Sequence, residues 1–182
     1  AQAEGWDVTG LEISPDTSEI ARKKYHLKVI TGILTRDTFT SKSFDAITLW
    51  DLLEHVRNPQ QLLNNVRQIL KDDGVILMET PNITGMFPVF SYKFSKIFHF
   101  WPHPEPPTHL FQFSKETIKK LLTKSGFKVI DIFDSKISIK HSLRNIRKPI
   151  QKLKYNPFGL LLLFIYLPFF IIVSFLGPYL KS

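Results

Sequence analysis

The sequence predicts an α/β fold with a doubly wound, mostly parallel sheet, followed by a hydrophobic segment of membrane-spanning length. Short apolar runs alternate with segments of helical periodicity over roughly residues 1–135. Three of the helical segments open with a serine or asparagine cap, and an uncharged stretch of about 20 residues begins at Phe158. Strands that alternate with helices form parallel sheets, because each crossover helix returns the chain to the same end of the sheet.

The first predicted elements are a strand, a helix and a second strand. The first strand covers Asp7 to Leu11 and ends at Glu12. Ser14 caps the helix, a proline takes its first position, and the helix continues to about Tyr25. The second strand is expected around residues 28–30.

The middle of the domain contains the clearest strand signal, FDAITLW at Phe44 to Trp50. The next helix opens at Asn58-Pro59 and carries one apolar stripe, which indicates core packing and nothing about function. We expect Asp73-Gly74 to end this helix and Val75 to Met78 to form another buried strand.

The alternation breaks between Ile83 and Pro107, where seven aromatic residues and five prolines occur. An irregular segment of this length after a strand is either a lid or binding loop, or a packed structural loop. After it, a helix capped by Ser114 and closed by Gly126 leads into a last predicted strand, Phe127 to Phe133.

Composition limits the possible partners. The absence of cysteine excludes disulfides and thiolate metal sites. The formal net charge is +8, and basic residues are concentrated in a linker at residues 136–157, directly before the apolar segment. This position favours an anionic membrane surface as the partner and argues against nucleic acid, for which interleaved aromatic residues would be expected.

The apolar segment, residues 158–178, is predicted to be a transmembrane or membrane-embedded helix. It has no polar face, although Pro168 could break it into a re-entrant hairpin, and a buried core helix is the alternative. The basic linker then places the N-terminal domain in the cytoplasm, so we expect a membrane-associated protein with a cytoplasmic domain.

Candidate ligand-binding residues follow the predicted strands, since open α/β sheets bind ligands beyond the carboxyl ends of their strands. Glu12 closes the first strand, where a carboxylate could accept hydrogen bonds from two ribose hydroxyls. Two further groups of candidates follow later strands. Asp51, Glu54 and His55 follow the FDAITLW strand, and Thr80, Pro81 and Asn82 follow the segment GVILMET.

Three blocks resemble class I S-adenosylmethionine-dependent methyltransferases, especially the group that includes ubiquinone-biosynthesis O-methyltransferases. They are GLEISPDTSEIAR, FDAITLWDLLEHVRNPQQLLNNVRQILKDDGVILMETPN and HLFQFSKETIKKLLTKSGFKVIDI, within residues 5–135. The resemblance implies a Rossmann-like fold and S-adenosylmethionine as cofactor. It also implies cofactor-binding roles near the ribose, the adenine and the methionine end, for Glu12, Ile13, Ile33, Leu34, Trp50 and Asp51.

One feature of the family is missing. The glycine-rich loop that follows the family's first strand does not occur, because the sequence opens where the family reaches its second strand. We therefore expect an N-terminally incomplete methyltransferase domain at residues 1–135, and a truncated gene product.

His55 and His109 are the candidates for a catalytic base, which methyl transfer needs only when the acceptor must lose a proton. A helical turn would bring Asp51, Glu54 and His55 to one face. Some family members bind a divalent metal through such a cluster and a distant histidine, so His109 would be the fourth ligand of Mg²⁺, Mn²⁺ or Zn²⁺. Helix capping and packing is the alternative role, and a zinc trio of His99, His103 and His109 is disfavoured because a proline-rich loop fixes no ligand geometry.

The sequence therefore predicts methylation of a small-molecule or lipid-linked acceptor near a membrane, for example a hydroxyl of a quinone precursor or glycan. A nicotinamide-dependent dehydrogenase would share the sheet and the strand-end acid, but the LEHV-x-x-P block disfavours it. A catalytically incomplete, membrane-tethered scaffold is the non-enzymatic alternative.

Overall fold

A computed structural model describes residues 1–85, 88–89, 92 and 107–134. The chain divides into two compact units. The first comprises Ala1–Glu79 and Leu121–Phe127, and the second comprises Thr80–Lys120 and Lys128–Ser182.

The first unit opens with a short 3₁₀ turn, Gln2–Glu4, and a strand–helix–strand segment. Strand β1 (Thr9–Glu12) pairs in parallel with β2 (Lys28–Thr31), and helix α1 (Pro15–Tyr25) connects them. Helix α1 begins where the sequence predicts, because the Ser14 hydroxyl accepts a hydrogen bond from the Thr17 amide at 3.3 Å. Ser18 is the buried residue of this helix, and its hydroxyl donates to the Glu12 carbonyl at 3.3 Å, whereas the basic last turn is exposed.

The second strand–helix–strand segment has the same arrangement. Strand β3 (Phe44–Trp50) pairs in parallel with β4 (Leu70–Glu79), and helix α2 (Pro59–Ile69) connects them. The Asn58 side chain caps α2 by accepting from the Gln61 amide at 3.0 Å. The predicted bounds of β3 are confirmed.

One face of the β3–β4 sheet carries most of the core of the first unit. Leu63 and Val66 on α2 are fully buried, so this helix contributes its apolar stripe to the core as the sequence indicates. The opposite face, which includes Trp50, Val75 and Leu77, is about half exposed. The buried apolar residues of the first unit are Leu49, Leu53, Leu63, Val66, Ile69, Leu70 and Leu122.

The parallel direction of the strands agrees with the predicted doubly wound sheet, but their grouping differs. In the described part of the chain the four strands form two separate two-stranded sheets, β1–β2 and β3–β4. Neither β1 nor β3 has a second neighbour there, which leaves one edge of each strand unpaired. Among the described residues, the predicted single sheet is therefore replaced by two separate pairs of strands.

Helix α3 (Lys115–Lys124) follows the predicted Ser114 cap, whose hydroxyl accepts from the Thr117 amide at 3.2 Å. Within the second unit, Asn82 and Phe113 form an isolated parallel bridge. Asp134 accepts hydrogen bonds from Lys115 at 2.6 Å and from Asn82 at 3.1 Å. The Lys115 ammonium, followed by the smaller effect of Asn82, holds the pKa of Asp134 below its usual range although partial burial opposes this shift.

The predicted end of helix α2 and the predicted last strand are both wrong. Helix α2 ends at Ile69 rather than at Asp73-Gly74, because Leu70 is already extended and pairs with Phe44. The segment Phe127–Phe133 was predicted as a strand but has no regular secondary structure, and Ile130 is 82% exposed. A strand needs a neighbour to pair with, and no described strand provides one for this segment.

Three predictions fall largely or wholly outside the described residues. Most of the aromatic insert at 83–107, the basic linker at 136–157 and the apolar segment at 158–178 are not described. Across the portions that are described, no helix combines the length and apolarity that crossing a bilayer requires. The membrane helix is therefore still a prediction from sequence.

Candidate functional site

The carboxyl end of β1 holds the acid predicted to bind ribose. Glu12 Oε1 accepts a hydrogen bond from the Ser14 amide at 2.8 Å, so the first turn of α1 fixes the orientation of the carboxylate. The second carboxylate oxygen makes no hydrogen bond with the described residues. The backbone oxygen of Glu12 accepts from the Gly32 amide at 2.8 Å, which places the end of β2 beside it. This geometry leaves one carboxylate oxygen for a ligand hydroxyl.

The segment after β2 carries the residues predicted to flank adenine. Gly32 has φ +152° and lies between Thr31, the last residue of β2, and Ile33. Ile33 is 61% exposed and Leu34 is half-buried. Ile13, just after β1, is 70% exposed. Ile13 and Ile33 thus present apolar surface beyond the ends of β1 and β2.

This segment, residues 32–38, which we call the adenine loop, is held by side chains from two directions. Inside the loop, the Thr38 hydroxyl accepts from the Thr35 amide at 2.8 Å and donates to the Ile33 carbonyl at 3.2 Å. From α2, the side-chain amide nitrogen of Asn65 donates a hydrogen bond to the Leu34 carbonyl oxygen at 3.0 Å. The contacts from α2 are not among the features predicted from the sequence, because the apolar stripe of this helix indicates only core packing. The signal that could have revealed them is the set of amide side chains on the same helix: Gln60, Gln61, Asn64, Asn65 and Gln68.

The carboxyl end of β3 holds the pair predicted to lie near the methionine end of the cofactor. Trp50 is 57% exposed. Asp51 follows with φ +43°, a left-handed conformation that is unfavourable for a residue with a side chain. Its amide donates to the Glu79 carbonyl at 3.0 Å, which holds this conformation against the end of β4. Backbone strain at the carboxyl end of a parallel strand is typical of functional sites.

Glu54 and His55 occupy a turn, and the predicted helical face is wrong. The His55 amide donates to the Leu52 carbonyl at 3.1 Å, and the left-handed Asp51 precedes the turn, so no helix runs through these residues. The Glu54 side chain is 2% exposed, whereas the His55 side chain is 35% exposed. His55 Nε2 lies 4.0 Å from Glu54 Oε1. Within the first unit, Glu54 and His55, which are both predicted metal ligands, therefore lie side by side.

The other predicted base, His109, lies in the second unit and is half-buried. Its predicted catalytic and metal-binding roles stay predictions. A shallow depression of about 550 Å³ lies on the first unit, but Arg36 and polar residues of α2 line it rather than the predicted cofactor residues. Of the predicted cofactor residues, Ile13, Ile33 and Trp50 are more than half exposed.

Comparison with curated proteins finds partial matches, among them ubiquinone biosynthesis O-methyltransferases. The chain is 31% identical over 88 residues to the ubiquinone biosynthesis O-methyltransferase of Glaesserella parasuis, an alignment that covers 43% of this chain and 37% of that protein. It is 35% identical over 78 residues to an uncharacterised protein of Methanocaldococcus jannaschii, covering 42% of this chain and 31% of that protein. The alignments thus span less than two-fifths of these relatives.

Solved structures show the same fold. A SAM-dependent methyltransferase from Archaeoglobus fulgidus superposes with a TM-score of 0.53 at 21% identity, covering 85% of this chain and 72% of that one. A putative methyltransferase from Bacillus halodurans superposes with a TM-score of 0.55 at 19% identity, covering 68% and 54%. These matches establish a Rossmann-like methyltransferase fold.

The family assignment comes from a model described as a methyltransferase domain, which matches residues 1–132. This range contains both strand–helix–strand segments and every predicted cofactor-binding residue. The chain belongs to this methyltransferase domain family, within the class I S-adenosylmethionine-dependent methyltransferases.

Proposed function

We propose that the protein binds S-adenosylmethionine at the carboxyl ends of β1, β2 and β3 and transfers its methyl group to a small-molecule acceptor. The observation that carries this proposal is the Glu12 carboxylate, which the Ser14 amide orients at the end of β1. A carboxylate with one oxygen fixed and the other open to solvent is suited to accept a hydrogen bond from a ribose hydroxyl.

The residues present fit this cofactor. Glu12 would hold the ribose, Ile33 and Leu34 would contact the adenine, and Trp50 and Asp51 would lie at the methionine end. When bound, the cofactor supplies an electrophilic methyl group on a sulfonium. The chain contributes binding and orientation, and this alignment of reacting groups accounts for much of the rate that such a reaction needs.

Removal of a proton from a hydroxyl acceptor would fall to His55 or His109. The His55 side chain is 35% exposed, so an acceptor hydroxyl could reach its ring nitrogens. The metal hypothesis for Asp51, Glu54, His55 and His109 stays a prediction, and methyl transfer that is unaffected by a chelator would contradict it.

The acceptor we favour is a hydroxyl on a lipid-linked or membrane-proximal molecule. Three sequence features support it: the aromatic insert at 83–107, the basic linker and the uncharged segment after it. The name of the Glaesserella parasuis relative adds support for an oxygen acceptor, such as the hydroxyl of a quinone precursor. The same features support a membrane-associated protein whose catalytic domain faces the cytoplasm.

Calorimetric titration of the full chain in detergent, with adenosylhomocysteine and separately with NAD, tests the cofactor assignment. We expect adenosylhomocysteine to bind and NAD to give no heat. Binding of NAD alone would favour a dehydrogenase. If neither ligand binds, the membrane-tethered scaffold is favoured. The unpaired edges of β1 and β3 would then mean that this chain does not assemble the cofactor site.

A further inference from the structure

The two sheets of the first unit are linked through the adenine loop. This loop leaves the end of β2, and side chains of α2, which packs on the β3–β4 sheet, bind it. No hydrogen bond between strands joins the two sheets in the described part of the chain. The loop's position relative to Trp50 and Asp51 therefore depends strongly on contacts made by α2.

Asn65 makes the best-defined of these contacts. Its side chain is largely buried, at 8% exposure, and its amide nitrogen donates to the Leu34 carbonyl at 3.0 Å. Its amide oxygen accepts from Gln61 Nε2, also at 3.0 Å. Because Gln61 donates to the oxygen, the nitrogen of Asn65 is the atom that faces Leu34. Asn65 thus holds the adenine loop at Leu34, one of the two residues predicted to flank the adenine ring.

Gln68, one turn further along α2, makes a two-point contact with the same loop. Its amide nitrogen donates to the Arg36 carbonyl at 3.1 Å, and its amide oxygen accepts from Arg36 Nε at 3.3 Å. Gln68 is half-buried, and its own backbone carbonyl accepts from the Lys42 amide at 3.0 Å. Two amide side chains on one helix face therefore hold both Leu34 and Arg36.

We propose that Asn65 and Gln68 are positioning residues for the cofactor, which hold the adenine loop so that Ile33 and Leu34 meet the adenine ring. This inference rests on the proposed cofactor site. Neither residue is expected to touch the cofactor; both act through the backbone carbonyls that they bind. The loop supplies the purine contact, and its fixed conformation reduces the entropy lost when the ligand binds.

Asn65→Asp tests the proposal with the smallest change of shape. The aspartate keeps an acceptor for Gln61 but replaces the nitrogen that donates to Leu34 with an oxygen, which repels that carbonyl. Asn64→Asp is the matched control, since it makes the same change at the neighbouring, exposed position of α2. Asn65→Leu is the second variant, which removes the hydrogen bond without adding charge.

The first measurement needs no cofactor. Hydrogen–deuterium exchange of peptides covering residues 32–38 should be about threefold to tenfold faster in both Asn65 variants than in wild type, as expected for the loss of one hydrogen bond. Asn64→Asp should exchange like wild type. Unchanged exchange of the loop in both Asn65 variants would overturn the proposal, because Asn65 would then not hold it.

The second measurement compares adenosylhomocysteine with S-ribosylhomocysteine, which lacks the adenine. We expect the Asn65 variants to bind adenosylhomocysteine about threefold to tenfold more weakly and S-ribosylhomocysteine as wild type does. Equal weakening of both ligands would indicate general structural damage and overturn the positioning role. If wild type binds neither ligand, the proposed cofactor site fails, whereas the exchange measurement still reports separately on the loop contact.

Discussion

Replacing Glu12 with glutamine removes the charge at the end of β1 while keeping the local structure. A glutamine carbonyl can still accept from the Ser14 amide, which Glu12 Oε1 contacts at 2.8 Å, so the start of α1 should be preserved. The interaction that the substitution weakens is the one made by the second carboxylate oxygen, which would accept a hydrogen bond from a ribose hydroxyl while carrying negative charge. Hydrogen bonds to charged groups contribute about 1.5–3 kcal/mol, and glutamine should retain a part of this.

We therefore expect Glu12→Gln to weaken adenosylhomocysteine binding by about 1.4 kcal/mol, or about tenfold, in calorimetric titration. Glu12→Ala should weaken it further. Glu19→Gln is the matched control, because Glu19 lies on α1, is exposed and pairs only with Lys23 among the described residues; it should bind as wild type does. If Glu12→Gln retained wild-type affinity within twofold, the assignment of Glu12 to the ribose would be refuted.

Three further predictions concern stability and pH. Leu63→Ala should lower the free energy of unfolding by about 2–5 kcal/mol in urea denaturation, because Leu63 is fully buried. Leu62 is only half-buried, so Leu62→Ala should lower the free energy of unfolding clearly less. Equal losses in the two variants would contradict the packing of α2. Asp51→Gly should raise the free energy of unfolding by about 0.5–1 kcal/mol, because glycine adopts the left-handed conformation without strain. The same variant should bind adenosylhomocysteine more weakly. A lower free energy of unfolding would show that Asp51 is not strained. The lowered pKa of Asp134 means that its pairing with Lys115 stabilises the fold above about pH 4 and that this contribution disappears as pH falls through the lowered value. Asp134→Asn should accordingly unfold at lower urea than wild type at pH 7, with the difference shrinking as the pH falls below about 4. A difference independent of pH would contradict this prediction.

The elements that could be predicted from the sequence are those with local causes. Ser14, Asn58 and Ser114 each begin a helix by accepting a hydrogen bond from the backbone amide three residues ahead, and such capping residues can be recognised in the sequence. Strand β3 was predicted with its observed bounds, because its apolar run is bracketed by polar residues. The strand-end position of Glu12 follows from the same local signals.

The features that could not be predicted depend on contacts between distant residues. Leu70 continues directly from α2 into β4 because it pairs with Phe44, so the turn signal at Asp73-Gly74 is overridden. The apolar run at Phe127–Phe133 has no strand beside it in the described part of the chain and stays irregular. A contact across 31 positions, between Asn65 and the Leu34 carbonyl, likewise leaves no periodic pattern in the sequence.

Direct labelling of the site by its cofactor tests the central claim, that S-adenosylmethionine binds at the strand ends of the first unit. The full chain would be irradiated with ultraviolet light in the presence of S-adenosyl-[methyl-³H]methionine, digested, and the labelled peptides identified. We expect label in peptides that contain residues 10–13, 32–38 or 50–55, and its loss when excess adenosylhomocysteine is present. Label that adenosylhomocysteine does not displace, or that lies only within residues 107–134, would contradict the account.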